Sequence, residues 1–459
     1  MHFEDDTIAA ISTPIGQGGI GIVRISGPGS FIIADRIFSP KKPGAGLKKS
    51  HSLTLGFITD PDDKSVVDEV LISFMRSPNS YTREDIVEIN CHGGMASVKK
   101  MLEVVISQGA RIADPGEFTK RAFLNGRINL VQAEAVMDLI SARTDEGRRI
   151  AAEQLRGGLS EELGRLRDSL TTIAALSEAF MDFPEEDIGP LTTNRITEQL
   201  DGIMSRLERL SSTFQEARFF REGLSVAIVG RPNVGKSSLL NALLMKDRAI
   251  VTETPGTTRD LIEDFLNING LPVRIIDTAG IRHSDETIER EGIRRSLDAI
   301  QNADFVIAVF DGSAAPTKED LELIDRIKEK SAVAAINKSD LPAVLPLDPI
   351  VESGKPCLRI SAACGNGLEE LKTAIFNANL KNWKEEREGA VITNLRHKIA
   401  LDRAAEALRN AAIVLAANQP LELFSIELKD ALDGIGEITG AVTADDILNK
   451  IFTDFCIGK

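Results

Sequence analysis

The sequence predicts a multidomain protein in which an α+β segment is followed by an all-α helical domain, and an α/β phosphate-loop domain is inserted into the helical one. Three observations carry this. Residues 230–237 read Gly-Arg-Pro-Asn-Val-Gly-Lys-Ser, a G-x-x-x-x-G-K-S loop between an apolar run, Leu224–Val229, and a helical pattern, Ser238–Met245. Residues 217–380 alternate strand and helix, the pattern of a doubly wound sheet. On either side, residues 121–216 and 381–459 carry apolar residues at helical spacing, so that their packing together, or their standing as two separate bundles, are the two arrangements open. The expected division is 1–120, 121–216, 217–380 and 381–459.

A chain of 459 residues is too long for one core. Its formal net charge of -15 argues against broad, charge-driven binding to nucleic acid, DNA included, and leaves room only for a local basic patch. The first ten residues are acidic and lack the apolar core of a secretory leader. The longest apolar runs, such as Ala411–Ala417, fall far short of a membrane span, so the expectation is a cytoplasmic protein with no membrane partner. The four cysteines, Cys91, Cys357, Cys364 and Cys456, show no C-x-x-C spacing, which suggests reduced thiols and neither a disulfide framework nor a zinc site.

In order along the chain, Ile20–Ser26, Ser52–Ile58, Val66–Met75 and Asp85–Cys91 read as strands, and Gly94–Ser107 as a helix opened by paired glycines. The glycine-dense stretch Gly16–Gly21 is either a tight turn or a loop that holds a ligand near its backbone. Helices are expected over Leu130–Ala142, Glu146–Phe183 and Arg195–Phe214, with the acidic, proline-containing stretch Asp182–Pro190 as a loop. Within 217–380 the strands Val273–Ile276, Phe305–Phe310, Ala332–Ile336 and Cys357–Ile360 follow Leu224–Val229. Helices return at Asn394–Ala417, Leu421–Leu432 and Ala444–Phe455.

The chemistry concentrates in the inserted domain. Gly230 and Gly235 permit a tight loop whose N–H groups, with those of Val234 and Ser238 nearby, turn inward, and the following helix directs its positive end at the same spot. Lys236 supplies an ammonium for the outer phosphates, and the Ser237 hydroxyl is placed to ligate Mg2+. Next comes Glu253-Thr-Pro-Gly-Thr-Thr-Arg-Asp260, a polar loop in which Thr257 and Thr258 suit a γ-phosphate and Thr258 suits Mg2+. Asp277-Thr278-Ala279-Gly280 ends an apolar strand, with Asp277 placed to hold Mg2+ through water and the Gly280 N–H to sense the γ-phosphate. Asn337-Lys338-Ser-Asp340 ends another. The Asp340 carboxylate can accept from the N1–H and 2-amino group of guanine, which adenine lacks, so GTP is favoured over ATP. Ser361 and Ala362 complete the base pocket. These five stretches in this order resemble the translation-factor class of GTPases.

One position departs from the Ras pattern. The glutamine that orients the attacking water there is replaced by Ile281, which cannot hydrogen-bond. Asn233 in the phosphate loop, the main-chain carbonyls of Thr252 and Thr254, and Thr257 could hold a monovalent cation beside the phosphates. This resembles the potassium-activated GTPases of the Era-like group, in which K+ takes the place of an arginine finger; a structural Asn satisfying the loop is the alternative. Glu289 is the candidate for holding the water, acting through a bridging water; a solvated surface glutamate is its alternative.

The flanks resemble the MnmE (TrmE) family of tRNA wobble-uridine modification GTPases essentially end to end. The residues that carry this are Thr13–Ser26, Asn79-Ser-Tyr-Thr-Arg-Glu-Asp85, His92-Gly-Gly94, Pro115–Asn125 and the C-terminal Cys456-Ile-Gly-Lys459. The resemblance implies a folate-binding-like N-terminal domain that also dimerises the protein. By position, Arg24, Glu88, Arg127 and Lys459 match the contacts to a tetrahydrofolate derivative, 5-formyl- or 5,10-methylene-tetrahydrofolate; the family often has Lys in the place of Arg127, which keeps the charge and alters the contact geometry. Cys456 matches the family's C-terminal cysteine, with a catalytic role or that of a small buried hydrophobe both open. The implied partners are a second copy of the chain, the FAD- and NADH-dependent MnmG (GidA), and tRNA. The implied reaction adds a carboxymethylaminomethyl or aminomethyl group at C5 of the wobble uridine. A regulatory GTPase of ribosome assembly, without modification activity, is the rival reading.

Overall fold

The computed structural model of the chain describes residues 6–42, 49–182, 190–247, 265–276, 298–381, 383, 389–442, 445–453 and 455–459. Contacts between residues divide it into two compact units. The first gathers residues up to Met137 and from Gly436 onward; the second runs from Asp138 to Ile435.

The first unit is built on β1 (Ile8–Ile11), β2 (Gly18–Ser26), α1 (Ser30–Ile37), β3 (Phe38–Pro40), β4 (Leu53–Thr59), β5 (Val66–Met75), β6 (Ile86–Gly93), α2 (Met95–Ser107), β7 (Arg111–Ile112), α3 (Glu117–Leu124) and the start of α4 (Leu130–Ser141). The strands form one sheet in the order β3-β4-β5-β6-β2-β1-β7, antiparallel throughout except for the β1–β7 pair. Alternation decides which face is covered. Val23, Ile25, Val70, Ile72, Phe74, Val87 and Ile89 lie on one face and pack with α1 and α2, each a fully buried apolar side chain of the kind that contributes about 1.5–3 kcal/mol. The opposite face carries Arg24 on β2 directly across from Glu88 on β6.

The strands and the helix expected in this segment all form, with ends shifted by two residues at most. The sequence reading passed over β1, α1, β3, β7 and α3. Helix α3 opens at Gly116, whose φ of +67° lies in the left-handed region. Its Glu117 and Arg121 belong to a buried ion-pair network with Asp6, Glu84 and Arg111 that ties α3 to the sheet.

The second unit contains α5 (Asp145–Arg156), α6 (Gly158–Asp182), α7 (Pro190–Glu222), β8 (Leu224–Val229), α8 (Lys236–Asp247), β9 (Phe265–Ile268), β10 (Leu271–Ile276), β11 (Phe305–Asp311), α9 (Lys318–Ile327), β12 (Ala332–Asn337), α10 (Asp348–Glu352), β13 (Cys357–Arg359), α11 (Leu368–Asn379), α12 (Leu395–Ala416) and α13 (Leu421–Thr439). The single helix expected over Glu146–Phe183 is two. Gly157, at φ +106°, caps α5 in the left-handed conformation, and α6 starts again at the next residue. Helices from both sides of the α/β part pack together: Ser211 donates to Asp402, Thr213 Oγ1 accepts from the Ile392 N–H at 3.1 Å, and Gln154 donates to the Val391 carbonyl at 3.0 Å.

The α/β part is a six-stranded sheet in the order β13-β12-β11-β8-β10-β9, parallel except for the β9–β10 hairpin. Its central strands are buried on both faces. In β11, Phe305, Ile307 and Val309 face one core while Val306, Ala308 and Phe310 face the other, so the strand reads as a continuous apolar run. This leaves the carboxyl ends of β8, β11 and β12 as the place where loops can bind a ligand.

Candidate functional site

The phosphate loop leaves β8 at its carboxyl end and enters α8 at Lys236. Gly230 takes φ +154° and has its Cα turned at the Val309 carbonyl, where a Cβ would stand 2.4 Å from the oxygen. Gly235 takes φ +99°, and a Cβ there would stand 2.2 Å from Asn337 Nδ2. Both positions therefore require glycine for shape and for space. Between them Asn233 lies in the left-handed region at φ +63°, and Val234 drives its side chain fully into the core, which anchors the loop.

Lys236 Nζ donates to the carbonyls of Gly230 at 2.8 Å and Arg231 at 2.9 Å. The lysine thus closes the loop on itself in this structure, and burial depresses its ammonium below the usual lysine range. A desolvated ammonium at a helix start, ringed by inward-turned main chain, suits a phosphate, which replaces the lost hydration with a full counter-charge.

The base-side loops meet the same place. Asn337, at the end of β12 and 3% exposed, donates from Nδ2 to the Val234 carbonyl at 2.8 Å and accepts at Oδ1 from the Ala362 N–H at 2.9 Å. One side chain so joins the phosphate loop to the loop after β13. Lys338, in the left-handed region at φ +64°, pairs with Asp311 at 2.6 Å. Asp340 Oδ1 accepts from Ser361 Oγ at 2.6 Å, and this hydrogen bond, more than any other contact, holds its carboxyl below the ordinary carboxylate value. Of the residues expected at this site, Asn233, Val234, Gly235, Lys236, Ser237, Ser238, Asn337, Lys338, Asp340, Ser361 and Ala362 lie at these loops. Thr252, Thr254, Thr257, Thr258, Asp277, Thr278, Ala279, Gly280, Ile281 and Glu289 lie outside the described residues. The Asp311 partner of Lys338 was not anticipated; its signal is the last residue of the apolar run Phe305–Asp311.

A second cluster forms in the first unit. Arg24 reaches Glu88 through both Nε and Nη2, each 2.8 Å from the same oxygen, Oε1. The chain's last residues come to this pair after α14 (Asp445–Thr453). The Gly458 carbonyl accepts from Ser12 Oγ at 3.1 Å and lies 3.5 Å from Arg24 Nη1. Lys459 is depressed below the usual lysine range by burial first and by Arg24 second, despite Glu88. Tyr81, the one tyrosine of the chain, has the Arg24 guanidinium 5.5 Å and the Arg127 guanidinium 4.7 Å from its ring centre, and shares a 2.9 Å hydrogen bond with Thr119. Arg24, Glu88, Arg127 and Lys459 are therefore neighbours, and Cys456 is exposed on the same tail, where its carbonyl accepts from the Gly116 and Lys459 N–H groups. Tyr81 and Ser12 were not singled out as site residues, although Tyr81 stands inside the Asn79–Asp85 motif.

A mostly parallel sheet with G-x-x-x-x-G-K-S after its first strand, and N-K-x-D seated against that loop, defines a P-loop GTPase domain. Residues 7–127 match the family profile described as the GTP-binding protein TrmE N-terminus, and residues 130–456 match the MnmE helical domain. The tRNA modification GTPase MnmE of Geotalea uraniireducens (strain Rf4) is 47% identical over 458 residues, covering 100% of both chains. That of Alkaliphilus oremlandii (strain OhILAs) is 46% identical over 458 residues and 99% of both, and that of Clostridioides difficile (strain 630) 44% over 459 residues and 100% of both. Among solved structures, the G domain of the T. maritima FeoB iron transporter is 27% identical over 34% of this chain and 98% of that one, with a TM-score of 0.25. The chain belongs to the MnmE family of tRNA modification GTPases and is a GTP hydrolase. Among the described residues no helix is long and apolar enough to cross a membrane.

Proposed function

We propose that the protein is a potassium-activated GTP hydrolase that, with MnmG, adds a carboxymethylaminomethyl or aminomethyl group at C5 of the tRNA wobble uridine, drawing the one-carbon unit from a tetrahydrofolate. The observation that carries this reading is the closure of the C-terminal tail on the Arg24–Glu88 pair: it brings Lys459 to a carboxylate and to two arginines that flank the Tyr81 ring, four charged groups from four parts of the sequence. Such a set suits a ligand with carboxylates at one end and ring N–H donors at the other. Arg24, Arg127 and Lys459 would hold the carboxylates of the folate and Glu88 its pterin, which when bound supplies the one-carbon unit. Cys456 stands on the same tail, in the place from which it would act on that chemistry.

In the GTPase part, Lys236 turns from the carbonyls of Gly230 and Arg231 to the phosphates, and Val234, Gly235 and Ser238 line the loop around them. Ser237 and Thr258 would hold Mg2+, which when bound neutralises phosphate charge. Asn233, Thr252, Thr254 and Thr257 would hold K+, which when bound supplies the charge of an arginine finger, worth roughly 10^3 to 10^5 in rate. The exposed Asn233, on a left-handed backbone inside the phosphate loop, supports this, since its side chain is not buried in the core as that of Val234 is. Asp277 would hold Mg2+ through water, Thr257, Thr278, Ala279 and Gly280 would order around the γ-phosphate, and Glu289 would hold the attacking water through a second one. Asn337, Lys338, Asp340, Ser361 and Ala362 select guanine.

The proposed organisation is a tetrahydrofolate-binding and dimerisation segment (1–120), a helical domain in two parts (121–216 and 381–459) and a G domain (217–380), acting as a cytoplasmic homodimer whose G domains approach across their nucleotides. The deciding experiment is nucleoside mass spectrometry of tRNA from a deletion strain. Loss of the C5 modification at the wobble uridine is expected; a normal nucleoside profile favours a ribosome-assembly GTPase instead. Replacing K+ by Na+ at equal ionic strength should sharply slow GTP turnover, and equal rates reject the cation site.

A further inference from the structure

Arg231 is the second residue of the phosphate loop, and its Nε lies 3.3 Å from Asp320 Oδ2. The Asp320 side chain is 3% exposed and that of Arg231 21%. Asp320 stands in the first turn of α9, where the same Oδ2 accepts from the Thr317 N–H at 2.9 Å and the Thr317 hydroxyl at 3.0 Å. A carboxylate buried this deeply is costly unless a cation stands beside it, and here the cation comes from the loop that is to hold phosphates. Arg231 is engaged at its other end as well: its carbonyl, with that of Gly230, is where Lys236 rests. Both Arg231 Nε and Asp320 Oδ1 are buried without a hydrogen-bond partner among the described residues. The pair is thus short of the two-pronged contact that guanidinium and carboxylate can make.

We propose that Asp320 is a positioning residue for the nucleotide, acting through Arg231. The ion pair fixes where the main chain of residue 231 stands, and so sets the curvature of the loop whose N–H groups and Lys236 meet the phosphates. When Lys236 leaves the two carbonyls for a phosphate, residue 231 is released to shift, and Arg231 Nε with Asp320 Oδ1 supplies the contact that a small shift completes. The pair is therefore stronger with nucleotide than without it, and it contributes to nucleotide retention. This rests on reading Gly230–Ser237 as the nucleotide loop.

The test uses the full chain and a fluorescent N-methylanthraniloyl GDP. Asp320→Asn keeps an acceptor for Thr317 and removes the charge; Arg231→Met removes the partner; Arg231→Lys keeps the charge. Asp320→Asn and Arg231→Met should each speed nucleotide dissociation roughly tenfold, the size of one charge-assisted hydrogen bond, and raise KM for GTP more than they lower kcat. The double variant should dissociate no faster than either single one, and Arg231→Lys should recover part of the loss. Unchanged dissociation in either single variant, or effects that multiply in the double, overturns the proposal. A lowered melting midpoint for Asp320→Asn with unchanged nucleotide constants also overturns it, since Asp320 is then a helix cap and nothing more. Failure of the unsubstituted chain to bind the probe rejects the nucleotide-loop reading itself.

Discussion

Asn337 Nδ2 donates a 2.8 Å hydrogen bond to the carbonyl of Val234, so the residue that heads the guanine-selecting loop holds the floor of the phosphate loop. Its Oδ1 accepts from Ala362 N–H, and the side chain is buried. Asn337→Ala leaves one carbonyl and one N–H unsatisfied, at about 1–3 kcal/mol each. Nucleotide affinity should fall by at least roughly tenfold, read by titration with a fluorescent GDP, and the melting midpoint should fall with it. Asn337→Asp should be worse than Ala at neutral pH, because it sets a carboxylate oxygen against the Val234 carbonyl. Equal affinity for Asn337→Asp and the unsubstituted chain rejects the bridge.

Asp340 is held by Ser361 Oγ at 2.6 Å, which fixes one carboxylate oxygen and aims the other. Asp340→Asn exchanges one acceptor for a donor and should shift preference from GTP towards xanthosine triphosphate, whose ring presents an acceptor where guanine presents its amino group. Ser361→Ala should keep the guanine preference and weaken GTP several-fold, since only the orienting bond is lost. Competition between the two triphosphates measures both; an unchanged ratio in Asp340→Asn rejects the base-pocket assignment.

How much of this was legible in the sequence depends on the range of the contact. Gly230 and Gly235 were readable because the loop's own shape demands glycine within eight residues. The β9–β10 hairpin was readable too and was passed over: Asn269 and Gly270, at φ +54° and +91°, make the two-residue Asn-Gly turn that signals a hairpin. The break at Gly157 was readable as well, since Gly157-Gly158 is a paired-glycine turn signal, but the apolar spacing that resumes in α6 masked it. Helix α3 escaped because it is short and its inward face mixes Glu117, Thr119 and Arg121 with the apolar Phe118 and Ala122, which blurs the apolar periodicity. The meeting of Ser12 with Gly458 across 446 residues has no local signature, and only the resemblance had put Arg24 and Lys459 at one site.

The Arg121 network gives the first unit an acid-sensitive anchor. Burial alone would raise the Glu117 carboxyl, but hydrogen bonds from Arg111, the Asp114 N–H and Arg121 more than offset it and hold the group below its ordinary value of 4.5; Asp6 is likewise lowered from 3.8 against its desolvation. Carboxyls depressed in the folded state contribute stability that is present above their ordinary values and is lost as pH falls through the lower, folded-state ones. Arg121→Met should therefore cost about 3–5 kcal/mol at neutral pH by leaving buried carboxylates short of a cation. The gap in melting midpoint between this variant and the unsubstituted chain should narrow below about pH 4, as both lose ionised carboxylates. Calorimetry across pH reads this directly, and a gap that does not change with pH argues that packing, and not charge, dominates at Arg121.

Gly458 offers the sharpest test of the tail site. Its φ of +94° lies in the left-handed region, where a side chain costs about 1–2 kcal/mol, and a Cβ would stand 2.3 Å from the Ile11 carbonyl oxygen and 3.0 Å from its carbon. Those are main-chain atoms of β1, held at Ile11 by its register with Val23 of β2 and by the Ser12 N–H on the Ile22 carbonyl, so the tail must move and not the strand. Moving it releases the Gly458 carbonyl from Ser12 and Arg24 and withdraws Lys459. Gly458→Ala should therefore weaken binding of 5-formyl-tetrahydrofolate by at least roughly tenfold in titration calorimetry, about the loss of one charged contact. Gly458→Asn separates the two causes, because Asn tolerates the left-handed backbone but carries the same Cβ. Its failure alongside Ala points to the Ile11 contact, while recovery by Asn points to backbone strain; unchanged folate affinity in both variants rejects the tail as part of the folate site.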